Sequence, residues 1–114
     1  MTGTPASITP QSYRAARDNF AIQTECGRLS GSIQAGFNAC VECCDRYADD
    51  DRTALVWVSA NGQREDYGFA QMRDLSAQMA NMLVEHGVRP GDCVAGLLPR
   101  IPELLATILG VWRA

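Results

Sequence analysis

The feature that most constrains this chain is an amphipathic run followed closely by a short, wholly apolar segment. Across residues 69–86, Met72, Leu75, Met79, Met82, Leu83 and His86 recur at helical spacing. Arg73, Asp74, Gln78, Asn81 and Glu85 fill the opposite face, which predicts one helix with a single apolar stripe. Gly87 stands where a helix C-terminus needs a left-handed residue. Such a stripe needs a sheet to lie on, and burying Leu75 and Leu83 stabilises the packing by about 1.5–3 kcal/mol each. After the turn Arg89-Pro90-Gly91-Asp92 comes Cys93-Val94-Ala95-Gly96-Leu97-Leu98. This run is short and continuously apolar, as a central parallel strand covered on both faces should be.

The flanking elements follow from local signals. Asn38 can cap a helix running to about Tyr47, because its side chain accepts an orphan amide of the first turn. Asp49-Asp50-Asp51 ends that helix. Residues 53–58, β-branched and aromatic, predict a strand. Asn61-Gly62 then predicts a two-residue hairpin, since both residues tolerate positive φ. The return strand over residues 63–67 is polar and should lie near an edge or a solvated face. Pro102 suits the first turn of a last helix, with Leu104, Leu105, Ile108, Leu109 and Trp112 as its apolar stripe. The expected fold class is α/β, a β-hairpin followed by a β-α-β-α unit that opens an incomplete sheet. Residues 1–36 carry few large apolar side chains and read as a lead-in arm, partly disordered and mostly irregular. A short helix over residues 12–20 would place Tyr13, Ala16, Arg17 and Phe20 on one side.

Composition narrows the function classes. A net charge of −3 with mixed signs along the chain argues against nucleic-acid binding. No apolar run approaches the roughly 18–20 residues that span a bilayer. The first ten residues show no basic start followed by an apolar stretch, so no export signal is expected. Five cysteines, an odd number without such a signal, favour reduced thiols and a cytoplasmic location.

Several segments together resemble the adenylate-forming acyl-CoA synthetases, in particular the acetyl-CoA and medium-chain acyl-CoA synthetases. These are residues 37–48, ending in Asp45-Arg46-Tyr47-Ala48, then residues 54–58, the hairpin and the helix entry Tyr67-Gly68-Phe69. Gly87-Val88-Arg89-Pro90-Gly91-Asp92-Cys93-Val94, Leu97-Leu98-Pro99 and Pro102-Glu103-Leu104 complete the pattern. The resemblance covers residues 37–114, and more loosely residues 13–20, and implies the N-terminal portion of the large domain of such an enzyme, truncated. Two positions depart from the family pattern. Gly68 replaces a Thr or Ser cap, leaving Gln71 as half of a capping box, and Ile101 replaces a polar cap before Pro102.

The resemblance also implies a parent reaction. A carboxylate attacks the α-phosphate of ATP to give an acyl-adenylate and pyrophosphate, and the CoA thiol then displaces AMP. ATP, Mg²⁺ and CoA are the implied cofactors of the parent. Phosphate handling of this kind needs a flexible loop with a lysine, an acidic metal ligand and a cation at the transferred group. The chain has no lysine at all, and no residue matches a family catalytic position. No catalytic, cofactor-binding or metal residue is therefore assigned. The chain alone is expected to be inactive and to bind no cofactor. Its expected partners are the remainder of the synthetase, or a second copy through an open sheet edge. The alternative is a non-catalytic interaction subunit that docks on a separately encoded remainder.

Five features are candidate sites. Ser30-Gly31-Ser32 lacks the lysine and the preceding strand of a phosphate loop and reads as plain loop. Cys40, Cys43 and Cys44 could turn two thiolates toward a zinc ion, or act as small core residues. Only Cys26, Cys93 and His86, all distant in sequence, could complete such a site. Asp49-Asp50-Asp51 lacks calcium-loop spacing and reads as a solvated helix end. His86, beside Gly87, fits a group favoured at a helix C-terminus. The methionines Met72, Met79 and Met82 read as core, and as a sticky surface if left uncovered.

Overall fold

The computed structural model describes residues 9–114. In chain order the elements are α1 (Pro10–Asp18), α2 (Ile22–Cys26), α3 (Ala39–Cys43), a 3₁₀ turn (Asp45–Tyr47), β1 (Thr53–Val58), β2 (Arg64–Gly68), α4 (Phe69–Glu85) and α5 (Pro102–Arg113). The α/β class holds, with a two-stranded antiparallel sheet set beside packed helices. The part of the lead-in arm in residues 1–8 lies outside the described residues. Its next part carries α1 and the additional helix α2, neither of which buries a side chain. Thr9 and Ser12 cap α1 reciprocally through side chain and backbone.

The helix predicted from Asn38 to Tyr47 is interrupted. Asn38 caps α3 by accepting from the amides of Cys40 and Val41, at 2.9 and 3.4 Å. Cys44 then leaves helical geometry, with φ −132° and ψ −63°, and the chain resumes as a 3₁₀ turn. The hairpin is also a correction. Among the described residues no non-glycine has positive φ, so Asn61 does not adopt the conformation that a two-residue turn demands. The Gly62 amide instead bonds to the Ser59 carbonyl, and Gly62 alone takes the left-handed region at φ 84°. With Ser59 and Gln63 bonded, the loop is the three residues Ala60, Asn61 and Gly62. The return strand is exposed along its polar residues 64–66, as its composition predicts.

α4 starts and stops where its caps place it. The Gly68 amide donates to the Gln71 side chain at 2.8 Å, the surviving half of a capping box. At the other end the Val88 amide reaches the Leu83 carbonyl and the Gly87 amide the Val84 carbonyl, with Gly87 at φ 87°. This is the six-to-one and five-to-two closure that a left-handed glycine permits. Its buried line, however, runs Met72, Ser76, Ala80, Leu83. Small residues occupy the centre because α5 comes close there. A Cβ added to Gly110 would lie 2.6 Å from the Met79 Cγ and 3.1 Å from the Ser76 carbonyl oxygen. The core gathers Cys40, Cys44, Met72, Ala106 and Leu109, with Leu55, Tyr67, Phe69 and Leu105 packed around it.

Residues 93–98 do not form the predicted third strand. None of their backbone groups hydrogen-bonds to another backbone group among the described residues, and the only ladder is β1 with β2. The segment has a helix on one side and no neighbouring strand.

Candidate functional site

The segment Ser30-Gly31-Ser32 has its amides occupied from within. The Glu42 carboxylate, one turn into α3, accepts from Ser30 at 2.7 Å and Gly31 at 3.0 Å, while its other oxygen takes Arg46 at 2.7 Å. Gly31 lies so close to Phe37 that an added Cβ would sit 2.7 Å from the Phe37 Cβ. Desolvation opposes the Glu42 charge, yet the Gly31 and Ser30 amides and Arg46 outweigh it and hold its pKa below the ordinary value. The loop is thus clasped onto α3 by an internal anion, in the position a phosphate would need.

The three neighbouring cysteines separate. Cys40 and Cys44 are buried and Cys43 is exposed. Burial raises the Cys40 pKa and pushes the Cys44 thiol up to about 11, so both thiols stay protonated. Cys44 lies 3.7 Å from the Phe69 carbonyl. Among the described residues no three Cys, His, Asp or Glu side chains converge as metal ligands. In the aspartate run, Asp50 is bonded to Arg52 at 2.6 and 3.0 Å. Arg52 also stacks over Tyr47 and Phe69, so the run borders an aromatic and cationic cluster. His86 turns its Nδ1 to the Met82 carbonyl at 2.8 Å, closing the end of α4. Since a carbonyl only accepts, Nδ1 is the donor.

The principal polar centre was not foreseen from sequence. Arg113, in the last turn of α5, makes a two-pronged contact with Asp45, at 2.6 and 2.8 Å, and reaches the Ser76 hydroxyl at 3.0 Å. Ser76 is fully buried and donates to the Arg73 carbonyl at 2.8 Å. Cys40 touches the same group, 3.8 Å from Ser76 and 3.9 Å from Asp45. The break at Cys44 turns Asp45 toward α5 and joins α3, α4 and α5 at one point. Asp45 and Arg113 are 68 residues apart, and neither stands in a motif that announces the other.

On the far side of α5 lie two apolar clefts. One, of about 310 Å³, is bounded by Leu55 and Trp57 of β1, by Arg100 and Ile101, and by Leu104, Leu105 and Ile108 of α5. Trp57 Nε1 donates to the Arg100 carbonyl at 2.8 Å and closes one end. The other, of about 240 Å³, has Val94, Gly96 and Leu98 on one wall and Leu104, Ile108 and Trp112 on the other.

These residues do not fit a triphosphate or its metal. Among the described residues, seven of the ten arginines pair with a carboxylate, and Arg14, Arg89 and Arg100 stand apart along the chain. The amides of Ser30 and Gly31 are held by Glu42, and that of Gly68 by Gln71. No step of nucleotide chemistry is derived from this chain's side chains.

Comparison with known proteins identifies the architecture. The sequence model of the family described as AMP-binding enzyme matches residues 42–114. A mitochondrial acyl-coenzyme A synthetase of Homo sapiens is 36% identical over 90 residues, covering 72% of this chain and 16% of the human protein. The acetyl-coenzyme A synthetase of Streptomyces coelicolor is 34% identical over 86 residues, covering 73% of this chain and 13% of that protein. The crystal structure of an acyl-CoA synthetase of Brucella canis superposes with a TM-score of 0.80 at 48% identity, over 89% of this chain and 19% of that one. The chain therefore spans less than a fifth of the relatives it matches. By sequence and by backbone, it belongs to the AMP-binding enzyme family, among the acyl-CoA and acetyl-CoA synthetases.

Proposed function

We propose that residues 37–114 are a scaffold portion of the large domain of an acyl-CoA synthetase, preceded by a lead-in arm over residues 1–36. The parent reaction is ATP-dependent adenylation of a short- or medium-chain carboxylic acid, followed by thioester formation with CoA. ATP, Mg²⁺ and CoA belong to that parent, and its location is cytoplasmic. This chain contributes no catalytic group and is inactive alone. The observation that carries the reading is a family match joined to a polar inventory in which seven of the ten arginines and the Ser30 and Gly31 amides are internally paired among the described residues. Such pairing fixes backbone geometry and takes those groups out of reach of a triphosphate.

The test is ATP–pyrophosphate exchange by purified residues 1–114, with acetate and with medium-chain acids. Exchange indistinguishable from blank is expected, and exchange above blank sinks the reading. The unpaired segment 93–98 favours a second possibility, an interaction subunit that docks on a separately made remainder. Recovery of exchange on co-expression with the downstream polypeptide distinguishes it from a defective product.

A further inference from the structure

Cys40, Cys43 and Cys44 sit where α3, α4 and α5 meet, and they differ in what they can reach. Cys43, the last residue of α3, is exposed, whereas Cys40 and Cys44 are buried. Cys40 Sγ lies 3.8 Å from the Ser76 hydroxyl and donates toward the Asp45 carboxylate at 3.9 Å. Ser76 and Asp45 are the partners of Arg113. The scaffold role uses none of these thiols. Spacing selects a pair among them. Helix geometry puts Cα atoms three residues apart at about 5 Å, inside the window of about 4.4–6.8 Å that a disulfide spans. Their Cβ atoms, at about 5–6 Å, must close by about 1–2 Å. That movement is available because α3 ends at Cys43 and Cys44 has already left helical geometry. Cys43 and Cys44 pair less well, since adjacent Cα atoms are held about 3.8 Å apart, below the window. Cys40 and Cys44 are both buried, so neither meets a soluble oxidant first.

We propose that Cys43 and Cys40 form a redox switch that loosens the contact between α3 and α5. The oxidant is a small-molecule disulfide of the glutathione type. The Cys43 thiolate attacks one of its sulfurs, forming a mixed disulfide and expelling a first thiolate. Cys40 then attacks the Cys43 sulfur and expels the second thiolate, while its proton passes to the Asp45 carboxylate and on to solvent. Both protein thiols are oxidised, and the small disulfide is reduced to its thiols. The new bond draws Cys40 Sγ toward the exposed side of α3, away from Ser76 and Asp45, and so disturbs the groups that hold Arg113. A small thiol reverses the exchange.

The experiment uses residues 1–114 with Cys93→Ser, so that this other exposed thiol does not compete. The chain is incubated with excess oxidised glutathione, alkylated in denaturant and mapped by mass spectrometry. A disulfide between Cys40 and Cys43 is expected. Cys43→Ser should abolish it, and Cys40→Ser should halt at a glutathione adduct on Cys43. In the oxidised chain, maleimide labelling of Cys44 should quicken about tenfold or more, and dithiothreitol should restore the slow rate. In Arg113→Met, where the contact is already lost, Cys44 should label fast before oxidation and no faster after it. A bond between Cys43 and Cys44, a lasting adduct with Cys40 still free, or no reaction overturns the proposal. So does a Cys40–Cys43 disulfide that leaves Cys44 labelling unchanged, which would make the bond an inert staple. A full quickening on oxidation of Arg113→Met overturns the route through Arg113. Should Cys40→Ser not fold, mapping of the chain with Cys40 intact decides the pairing without it.

Discussion

The contact between Asp45 and Arg113 joins three helices, and replacing either residue should loosen all of them. Removing one partner of a fully buried ion pair destabilises by about 3–5 kcal/mol, whereas exposed pairs contribute about 0–1 kcal/mol. Here the Arg113 and Asp45 side chains are 24% and 21% exposed, and the contact is two-pronged with a third bond to buried Ser76. The Arg113 Nε, buried without a partner, subtracts from the benefit of keeping the arginine. Arg113→Met preserves the packing of the stem and should therefore destabilise by about 2–3 kcal/mol. In urea that moves the midpoint down by about 1–2 M at the slope typical of a small protein. Asp45→Asn should lose somewhat less, because one acceptor survives. In the double variant the losses should fall short of additive by about 1–2 kcal/mol. Unfolding followed by fluorescence of Trp57 and Trp112 measures all three. Single losses below about 0.5 kcal/mol with no coupling would refute the clamp, since that is surface-pair behaviour.

Other consequences are equally open to measurement. Gly110→Ala should gain about 1 kcal/mol of helix propensity yet lose more to overpacking, for a net loss of about 1–2 kcal/mol by the same urea assay. Met79→Ala should rescue it only in part, because the Met79 Cβ and the Ser76 carbonyl stay in place. Glu42→Gln should speed amide exchange at Ser30 and Gly31, as the charge that holds those amides is removed. Because the Glu42 pKa is lowered in the folded chain, its contribution is complete above the ordinary carboxyl value of 4.5. It is lost as pH falls through the lowered value, so loop protection should fail in strong acid in the native chain and be insensitive to pH in the variant. With its pKa near 11, Cys44 is thiolate to about one part in a thousand at pH 8 and should label only on unfolding, after Cys43.

What could be read from the sequence was local. Gln71 reaching back to Gly68, Gly87 closing α4, and Asn38 opening α3 are each settled within a few residues, and each is found where the spacing places it. The hairpin was located correctly but lengthened by one residue, because Asn61 keeps negative φ and Gly62 alone supplies the left-handed turn. Stripes were harder. Counting large apolar residues located the amphipathic faces of α4 and α5 but missed their centres, where Ser76 and Gly110 let the helices approach. The large residues Ile108 and Trp112 remain exposed for the same reason. Long-range polar contacts were not legible, since nothing near Asp45 specifies Arg113. Residues 93–98 have the pattern of a strand without its ladder, because a strand exists only through neighbours and these residues have none here.

On the proposed reading, this chain supplies architecture to an acyl-CoA synthetase and no chemistry of its own. The most direct test grafts residues 1–114 into the Brucella canis synthetase in place of the matching segment and measures ATP–pyrophosphate exchange. The graft should retain exchange while the isolated chain shows none. A folded graft without exchange, or an isolated chain with it, would contradict the claim.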